Sequence, residues 1–388
     1  MMAGIEKTLE VLKALIAFDT TSRNSNLALI EWIEAYLSAR GVASQRVANA
    51  DGAKANLFAL IGPQAEGGIV LSGHTDVVPV DGQAWASDPW TLTEREDKFF
   101  GRGTADMKSF IALALAHLDD MLAAPLKRPI IFAFSYDEEV GCLGAPDLIR
   151  GLTKNLPKPA AVIVGEPTDM KVVSGHKGIS AFHVVVEGRE AHSSQIDEGV
   201  SAIMEALKLM RLVEDLAAEA RVRAAGAGAT LFSPPGATLT IGLVEGGTAL
   251  NILAKRCAFS FDLRTPDPNE AEAIAKRFMA AAEALDRDIK ARAPEGGVQV
   301  TRRSSSPALV PHTESAAEAL ARALTGDNGM TAAAYAAEAG LFQQAGIPAV
   351  LCGPGSILQA HQPDEWILKS QIAEGAQFMR RLITRLST

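Results

Sequence analysis

Three consecutive acidic side chains stand at the end of an apolar run, in the segment SYDEEVGCLG (135–144). Asp137, Glu138 and Glu139 follow RPIIFAFS, which has the composition of a buried strand. Adjacent carboxylates repel one another and resist desolvation, so the arrangement is costly unless a cation or a shared proton compensates. A solvated turn is the alternative for an acidic triplet taken alone. The chemistry to test is therefore metal binding combined with proton transfer.

Residues of the same kind follow three other apolar runs: His74 and Asp76 after GIVLSG, Glu166 after AAVIVG, and His361 after IPAVLCG. All four runs are short, rich in β-branched residues and without polar alternation. This pattern is typical of strands buried on both faces of a sheet that helices cover. Because ligands bind beyond the carboxyl ends of such strands, we expect these side chains to converge.

The spacing of His74 and Asp76 suits a metal ligand and the group that orients it. Two residues apart in an extended segment, their side chains point to the same side. A metal-bound imidazole usually donates its other N–H to a carboxylate, which sets its tautomer, so we expect Asp76 to orient His74. A His-x-Asp pair is weak evidence when it stands alone.

Asp106 lies in GRGTADMKSF, where a helical pattern begins after two glycines that permit unusual backbone angles. An acid at a helix start, favoured by the helix dipole, is the alternative interpretation. An aspartate with two free oxygens is also the usual bridge between two metal ions about 3.5 to 4 Å apart. Asp106 is therefore the candidate bridge of a dinuclear centre.

Asp137, Glu138 and Glu139 need not have the same role, because neighbouring side chains at a strand end point in different directions. We expect Glu139 to be a metal ligand and Glu138 to be the general base that takes a proton from the attacking water. Asp137 is interpreted as a turn residue.

The candidate ligand set contains two histidines and three carboxylates: His74, Asp106, Glu139, Glu166 and His361. Such nitrogen and oxygen donors suit zinc, cobalt or manganese better than calcium. We expect two divalent ions, with zinc as the first choice and cobalt as the alternative. Three other histidines lack ligand-like surroundings and are interpreted as structural: His117, His183 and His312.

The apolar runs alternate with helical patterns such as ADMKSFIALALAHLDDMLA (105–123), which indicates an α/β layer. The pattern then changes to strand, helix, strand, strand, helix and a further strand near VQVTRR, which favours an inserted α+β domain. The predicted catalytic domain comprises residues 1–178 and 299–388, and the inserted domain residues 179–298. The segment RVRAAGAGAT (221–230) is interpreted as a flexible surface loop.

Composition excludes several classes of protein. At 388 residues the chain exceeds the size of about 250–300 residues at which a single core stops growing, so two domains are expected. A net charge of −9 without a basic block argues against nucleic acid and anionic membrane surfaces as partners. The N-terminal MMAGIEKTLEVLKALIAF favours an amphipathic helix over a signal peptide. Three widely spaced cysteines indicate neither a disulfide framework nor a cysteine zinc site, so we expect a cytoplasmic protein.

With these residues assembled, the sequence resembles the M20 family of dinuclear metallohydrolases, which includes aminoacylases, carboxypeptidases and deacylases. The resemblance covers essentially the whole chain and rests on GHTDVVPV, WASDPW, GRGTADMKS, DEEVGCLG, GEPT, REAHSS, GGTALNI, FDLRTPD and AHQPDE. It implies a zinc-exopeptidase-like catalytic domain, with a mixed sheet flanked by helices. It also implies that the inserted domain is a ferredoxin-like α+β lid that forms the interface of a homodimer.

The resemblance implies a division of the metal ligands. His74 and Glu166 would bind one ion, Glu139 and His361 would bind the other, and Asp106 would bridge them. This division agrees with the interpretation of the residues themselves.

Further roles rest on the resemblance alone or are supported by it. Glu138 matches the general base, and Asp76 matches the acid beside the first ligand. In the inserted domain, His192 matches a histidine that stabilises the oxyanion, typically in the site of the partner subunit. Asn251 and Arg264 match residues that contact the substrate, and Arg264 would bind its α-carboxylate in bidentate fashion.

Within the family, GEPTDMKVVSGHKG, DEEVGC and GPGSILQAHQPDEW are most similar to the branch that deacetylates N2-acetyl-L-ornithine in arginine biosynthesis. The expected reaction is hydrolysis of an N-acyl-L-amino acid, with Glu338 as a candidate for recognising a cationic side chain. The alternatives are a succinyl-diaminopimelate desuccinylase, an aminoacylase, or, in another class, a protein that binds a small molecule without catalysis. Glu138 distinguishes an enzyme from a protein that only binds, because a binding protein does not need a general base beside five metal ligands.

Overall fold

The computed structural model describes residues 2–226 and 231–388. The helices in these ranges are α1 (Met2–Ile16), α2 (Leu27–Ser38), α3 (Lys108–Ala116), α4 (Leu118–Ala123), α5 (Ala145–Asn155), α6 (Ala202–Gly226), α7 (Pro268–Arg292), α8 (Ala316–Thr325), α9 (Ala339–Gln344) and α10 (Lys369–Ser387). The strands are β1 (Ser44–Ala48), β2 (Ala55–Ile61), β3 (Ile69–His74), β4 (Thr93–Arg95), β5 (Lys98–Phe100), β6 (Ile130–Ser135), β7 (Ala161–Val164), β8 (Val173–His176), β9 (Gly178–Glu187), β10 (Thr238–Gly246), β11 (Arg256–Thr265), β12 (Gly297–Ser306), β13 (Thr331–Ala333), β14 (Ala349–Leu351) and β15 (Trp366–Leu368). Within the described ranges, none of the helices has the length and apolar character needed to span a membrane.

An eight-stranded mixed sheet contains the four apolar runs, in the order β1-β2-β6-β3-β7-β14-β8-β13. Strand β3 lies between β6 and β7 and is parallel to both, and β14 is parallel to β7. Every residue of these four strands is buried. The predicted mixed sheet flanked by helices is therefore confirmed.

Helices enclose the sheet because successive residues of a strand point to opposite faces. Ile69 and Leu71 of β3 belong to a core cluster with residues of α1, α2, α3, α8 and α10. Val70, which lies between them in the strand, is also fully buried, and α5 and α9 pack against the neighbouring strands β6 and β7. Burial on both faces explains why these strands carry no polar alternation.

The helix predicted over residues 105–123 is two helices, α3 and α4, which meet at His117. The ring of His117 is buried, and its Nδ1–H donates to the carbonyl of Leu113 at 2.9 Å. The residues before Lys108 remain outside α3 and form the loop that contains Asp106. Strands β4 and β5, which precede this loop, form a small antiparallel sheet with β15, in the order β15-β5-β4.

The second compact unit comprises His176–Ala308 with Ala333–Ala336. Its antiparallel sheet has the order β10-β11-β9-β12, and α6 and α7 pack against it. Phe182 stacks on Phe261, which in turn contacts Phe278, at the centre of a separate core. The order strand, helix, strand, strand, helix, strand gives the ferredoxin-like α+β unit that the resemblance implies.

The predicted division between residues 178 and 179 lies between Gly175 and His176 in the structure, and two further predicted boundaries change. The boundary at residue 298 falls inside β12, which pairs with β9 as far as Ser306, and the first unit resumes at Leu309. Residues 221–226 of the predicted surface loop continue α6, because alanine and arginine are strong helix formers. Residues 227–230 of that loop lie outside the described residues.

Candidate metal centre

Three candidate ligands lie at or just beyond the carboxyl ends of neighbouring parallel strands. His74 is the last residue of β3, Glu139 follows the end of β6, and Glu166 follows the end of β7. Because β3 pairs in parallel with both β6 and β7, these strand ends meet at one edge of the sheet. Two loops supply the remaining candidates, Asp106 before α3 and His361 after β14.

The first group of ligand atoms surrounds His74. Its Nε2 lies 3.0 Å from Oδ1 of Asp106 and 4.0 Å from Oε1 of Glu166. Ligand-type atoms of His74, Glu138 and Glu166 all lie within 4.8 Å of one another. This group has the compactness of a site for one cation.

The second group surrounds His361. Its Nε2 lies 3.0 Å from Oε2 of Glu139 and 3.2 Å from Oδ2 of Asp106. Asp106 thus turns its two carboxylate oxygens toward two different histidines, which is the arrangement that a bridging ligand requires. The structure therefore brings the five candidate ligands together.

Negative charge is concentrated at this centre. Burial and the charge of Asp106 raise the pKa of Glu139 to about 7. Burial and neighbouring carboxylates also raise the pKa of Glu138 and of Glu166 well above the usual value. Burial opposes ionisation of Asp106, but hydrogen bonds with the two imidazoles hold its pKa well below the usual range. Hydrogen bonds with Asp106 and Glu139 raise the pKa of His361 to about 10.

The hydrogen bonding of the centre tests whether these residues fit divalent cations. Among the described residues, Oε1 of Glu139 and Oε1 of Glu166 are buried without a hydrogen-bond partner. A buried acceptor without a partner is costly, and coordination to a cation would satisfy both oxygens. The combination of imidazole and carboxylate donors suits zinc, cobalt or manganese. The residues therefore fit a pair of such cations.

The carboxylate of Asp76 has a different role from the predicted one. The Nδ1–H of His74 donates to the main-chain carbonyl of Asp76 at 2.9 Å, whereas the closest carboxylate oxygen is 3.6 Å away. The carboxylate accepts the main-chain N–H of Glu138 at 3.1 Å and of Glu139 at 3.2 Å, and the hydroxyl of Ser22 at 2.7 Å. The main chain thus sets the tautomer of His74, and the Asp76 side chain holds the turn that carries the two glutamates.

The three consecutive acids point to different partners. Asp137, at a positive φ of 55°, forms an ion pair with Lys54, as expected of a turn residue. Oε1 of Glu138 lies 3.4 Å from the thiol of Cys142, which donates to it. The side chain of Glu139 faces the imidazole of His361.

The candidate substrate residues of the second unit lie in two loops and one strand. His192 and Asn251 are exposed, and their loops are joined by the N–H of Ser193, which donates to the carbonyl of Asn251 at 2.9 Å. Arg264 lies in β11, and its Nε donates to Oδ2 of Asp262 at 2.8 Å. These three residues are thus held by contacts within their own unit.

The histidines interpreted as structural make local contacts. Nδ1 of His183 lies 3.0 Å from the hydroxyl of Ser260. Nδ1 of His312 accepts the N–H of Glu314 at 3.2 Å. Together with the contact of His117 described above, these partners lie outside the metal centre.

Sequence reasoning missed a buried ion pair. Arg102 and Glu365 form an ion pair in which each side chain is 1% exposed. Both belong to motifs that carry ligands, and a charged residue inside such a motif was the available signal. Glu338 is also 1% exposed and lies against β3, with Oε2 at 3.4 Å from the hydroxyl of Ser72. Recognition of a substrate side chain by Glu338 stays a prediction.

Comparison with known proteins agrees with this geometry. Residues 70–385 match the peptidase family M20/M25/M40. An acetylornithine deacetylase of Pasteurella multocida is 33% identical, with all of both chains covered. An acetylornithine deacetylase of Myxococcus xanthus is 34% identical, with 93% of each chain covered. The fold is similar to that of a dinuclear metal-binding peptidase of the M20 family from Bacillus subtilis, with a TM-score of 0.64, 14% identity and 99% of each chain covered. The chain therefore belongs to peptidase family M20/M25/M40 and is a metal-dependent amidohydrolase of that family.

Proposed function

We propose that this amidohydrolase removes the acetyl group from N2-acetyl-L-ornithine and releases L-ornithine and acetate. The observation that carries the hydrolytic part is the cluster of two imidazoles and three carboxylates at one edge of the sheet, with Glu138 beside it. Two acetylornithine deacetylases that match nearly the whole chain support the choice of substrate.

Two divalent cations, zinc or cobalt, are assigned to the centre. His74 and Glu166 would hold one, Glu139 and His361 would hold the other, and Asp106 would be a ligand of both. When bound, such a pair polarises the substrate carbonyl and lowers the pKa of the attacking water. The unpartnered oxygens of Glu139 and Glu166 support this assignment.

Glu138 is assigned as the general base. Its carboxylate lies beside His74 and Glu166. It takes a proton from the attacking water and then delivers that proton to the leaving amine. Asp76 supports this role because it holds the N–H of Glu138.

His192 is assigned as the donor to the oxyanion. Its Nδ1 accepts the main-chain N–H of Ser194 at 3.2 Å, so the neutral ring carries its proton on Nε2. A hydrogen-bond donor at this position stabilises the negative charge that develops on the carbonyl oxygen.

Two further residues are assigned to the substrate. Arg264 can place both Nη groups on the α-carboxylate while its Nε keeps the bond to Asp262. Asn251 offers an amide on the exposed loop next to His192.

The active form is proposed to be a homodimer joined through the second unit. Strand β10 is an edge strand, and its Leu243 and Val244 are 72% and 59% exposed. Helix α6, which packs against β10, exposes Met204 and Leu207. An exposed apolar edge strand is a template for pairing, and a second copy would cover it.

A substrate panel tests this function. Purified protein with added zinc or cobalt would be assayed against N2-acetyl-L-ornithine, other N-acetyl amino acids and N-succinyl-L,L-diaminopimelate. We expect the highest kcat/KM for N2-acetyl-L-ornithine. Preference for the succinyl substrate would make the protein a desuccinylase, and preference for apolar N-acyl amino acids an aminoacylase. Absence of hydrolysis from every substrate would contradict the enzymatic assignment.

A further inference from the structure

A single buried carboxylate holds the loop that carries Asp106. Oε1 of Glu365 accepts three main-chain N–H groups of this loop, from Gly103 at 3.1 Å, Ala105 at 2.8 Å and Asp106 at 3.1 Å. Three donors on one oxygen restrict the path of the loop at the residue that faces both histidines. The position of Asp106 therefore depends on a residue far along the chain.

Arg102 joins this carboxylate to the segment of His361. Its Nη1 donates to Oε2 of Glu365 at 2.7 Å and to the carbonyl of Gln362 at 3.3 Å. Its Nη2 donates to the side-chain oxygen of Gln83 at 2.6 Å. Both members of the ion pair are 1% exposed, so bulk solvent does not screen the pair.

Gln83 completes the connection to the ligand. Its Nε2 donates to the main-chain carbonyl of His361 at 2.9 Å. His361 has a φ of 65° and a side chain that is 50% exposed, so core packing does not hold it in place. Besides the contacts of its ring with Glu139 and Asp106, polar contacts to its main chain therefore help to fix its position.

The backbone sets the register of the two segments. Trp366 of β15 pairs with Phe100 of β5, and the N–H of Gly101 donates to the carbonyl of Glu365 at 3.0 Å. This pairing brings the two loops side by side but leaves the separation of Asp106 and His361 to the side chains between them.

We propose that Arg102, Glu365 and Gln83 are positioning residues that set the separation of Asp106 and His361, and thereby the affinity for the cation assigned to Glu139 and His361. This inference rests on the ligand assignment of the proposed function. The other cation shares Asp106 but depends less on this network. Its remaining ligands, His74 at the end of β3 and Glu166 after β7, contact none of the three positioning residues in the described hydrogen bonds and ion pairs. Partners behind metal ligands typically change affinity by about 10- to 100-fold when they are lost.

Zinc titration calorimetry of the metal-stripped full chain tests the proposal. Wild-type protein should bind two ions. In Glu365→Gln, the affinity for one ion should fall by about 10- to 100-fold and the affinity for the other by less, because Asp106 is assigned to both ions. Gln83→Ala, which removes the contact to the carbonyl of His361 together with the acceptor for Arg102, should weaken the same ion toward the low end of that range. Gln83 is only partly buried, so this variant keeps the test decisive if Glu365→Gln does not fold.

A matched control separates positioning from general loss of stability. Met379→Ala removes a buried side chain of α10 that takes no part in the described hydrogen bonds of this network, and should lower Tm while both zinc affinities stay at the wild-type values. Unchanged affinities in Glu365→Gln and Gln83→Ala would overturn the proposal. An equal loss of both ions, or the same selective loss in Met379→Ala, would also overturn it. Wild-type protein that binds fewer than two ions would contradict the proposed function instead.

Discussion

At the scale of single residues, one turn after β6 separates three adjacent carboxylates into three environments. Asp137 pairs with Lys54, Glu138 lies beside Cys142, and Glu139 faces His361. The positive φ of Asp137 redirects the chain at the strand end. The carboxylate of Asp76 then accepts the main-chain N–H groups of Glu138 and Glu139. These hydrogen bonds to the main chain keep apart like charges that have different roles.

The first prediction concerns Glu138→Gln. This change removes the proton acceptor but keeps the shape of the side chain, so kcat should fall by about 10² to 10⁴-fold with two metal ions still bound. Steady-state kinetics and elemental analysis would check both quantities. Asp137→Asn, in the same turn, is the control and should keep most of the activity. Loss of one metal ion from Glu138→Gln would mean that the roles of Glu138 and Glu139 are reversed.

At the scale of secondary-structure elements, the centre depends on close packing at the strand ends. A Cβ atom at Gly165 would lie 2.0 Å from the ring of Phe110 on α3. The absence of that Cβ lets α3 approach the end of β7 directly before Glu166. The helix that begins after the Asp106 loop and the strand that precedes Glu166 are thus in direct contact, which couples the placement of these two candidate ligands.

Strand β8 carries a prediction about acid stability. It ends at His176, whose burial lowers the pKa to about 4 from 6.5, while its Nδ1–H donates to the carbonyl of Lys177. Between these two values the unfolded chain binds a proton that the folded chain does not, so the free energy of unfolding falls as pH drops through this window. The contribution of this one group between pH 7 and pH 5 is about 2 kcal/mol.

Denaturant unfolding at both pH values, with chelator present to remove metal linkage, would measure this effect. His176→Asn should show a pH dependence that is shallower than that of wild type by about 2 kcal/mol. His312→Asn changes an exposed histidine and should keep the wild-type dependence. Equal pH dependence in wild type and His176→Asn would rule out His176 as the source.

At the scale of the whole molecule, the proposed catalytic groups are divided between two compact units. The first unit contains the metal centre, and the second contains His192, Asn251 and Arg264. The second unit also carries the exposed apolar edge strand β10. If the dimer forms there, each active site is expected to receive His192 from the partner subunit.

Mixing two inactive variants tests this arrangement. His192→Ala should lower kcat by about 10² to 10³-fold with both metal ions retained, because one donor to the oxyanion is lost. A mixed dimer of His192→Ala and Glu138→Gln would hold one site with an intact Glu138 and a donated His192. Activity should therefore rise above that of either parent after subunit exchange, which mass spectrometry can verify. No recovery in a verified mixed dimer would place the action of His192 within its own chain.

The sequence by itself determined the buried strands, the ferredoxin-like order of the second unit and the five candidate ligands. Each of these features can be read from a short stretch of sequence. An apolar run indicates a strand that is buried on both faces, and an acidic residue after such a strand indicates a position at the edge of the sheet where ligands bind. Only the tertiary structure decided that the main chain orients His74, that β12 continues to Ser306, and that Glu365 and Arg102 hold the Asp106 loop. The physical reason is that a hydrogen-bond partner is chosen by distance in space, and residues 102 and 365 become neighbours only after the strands have paired.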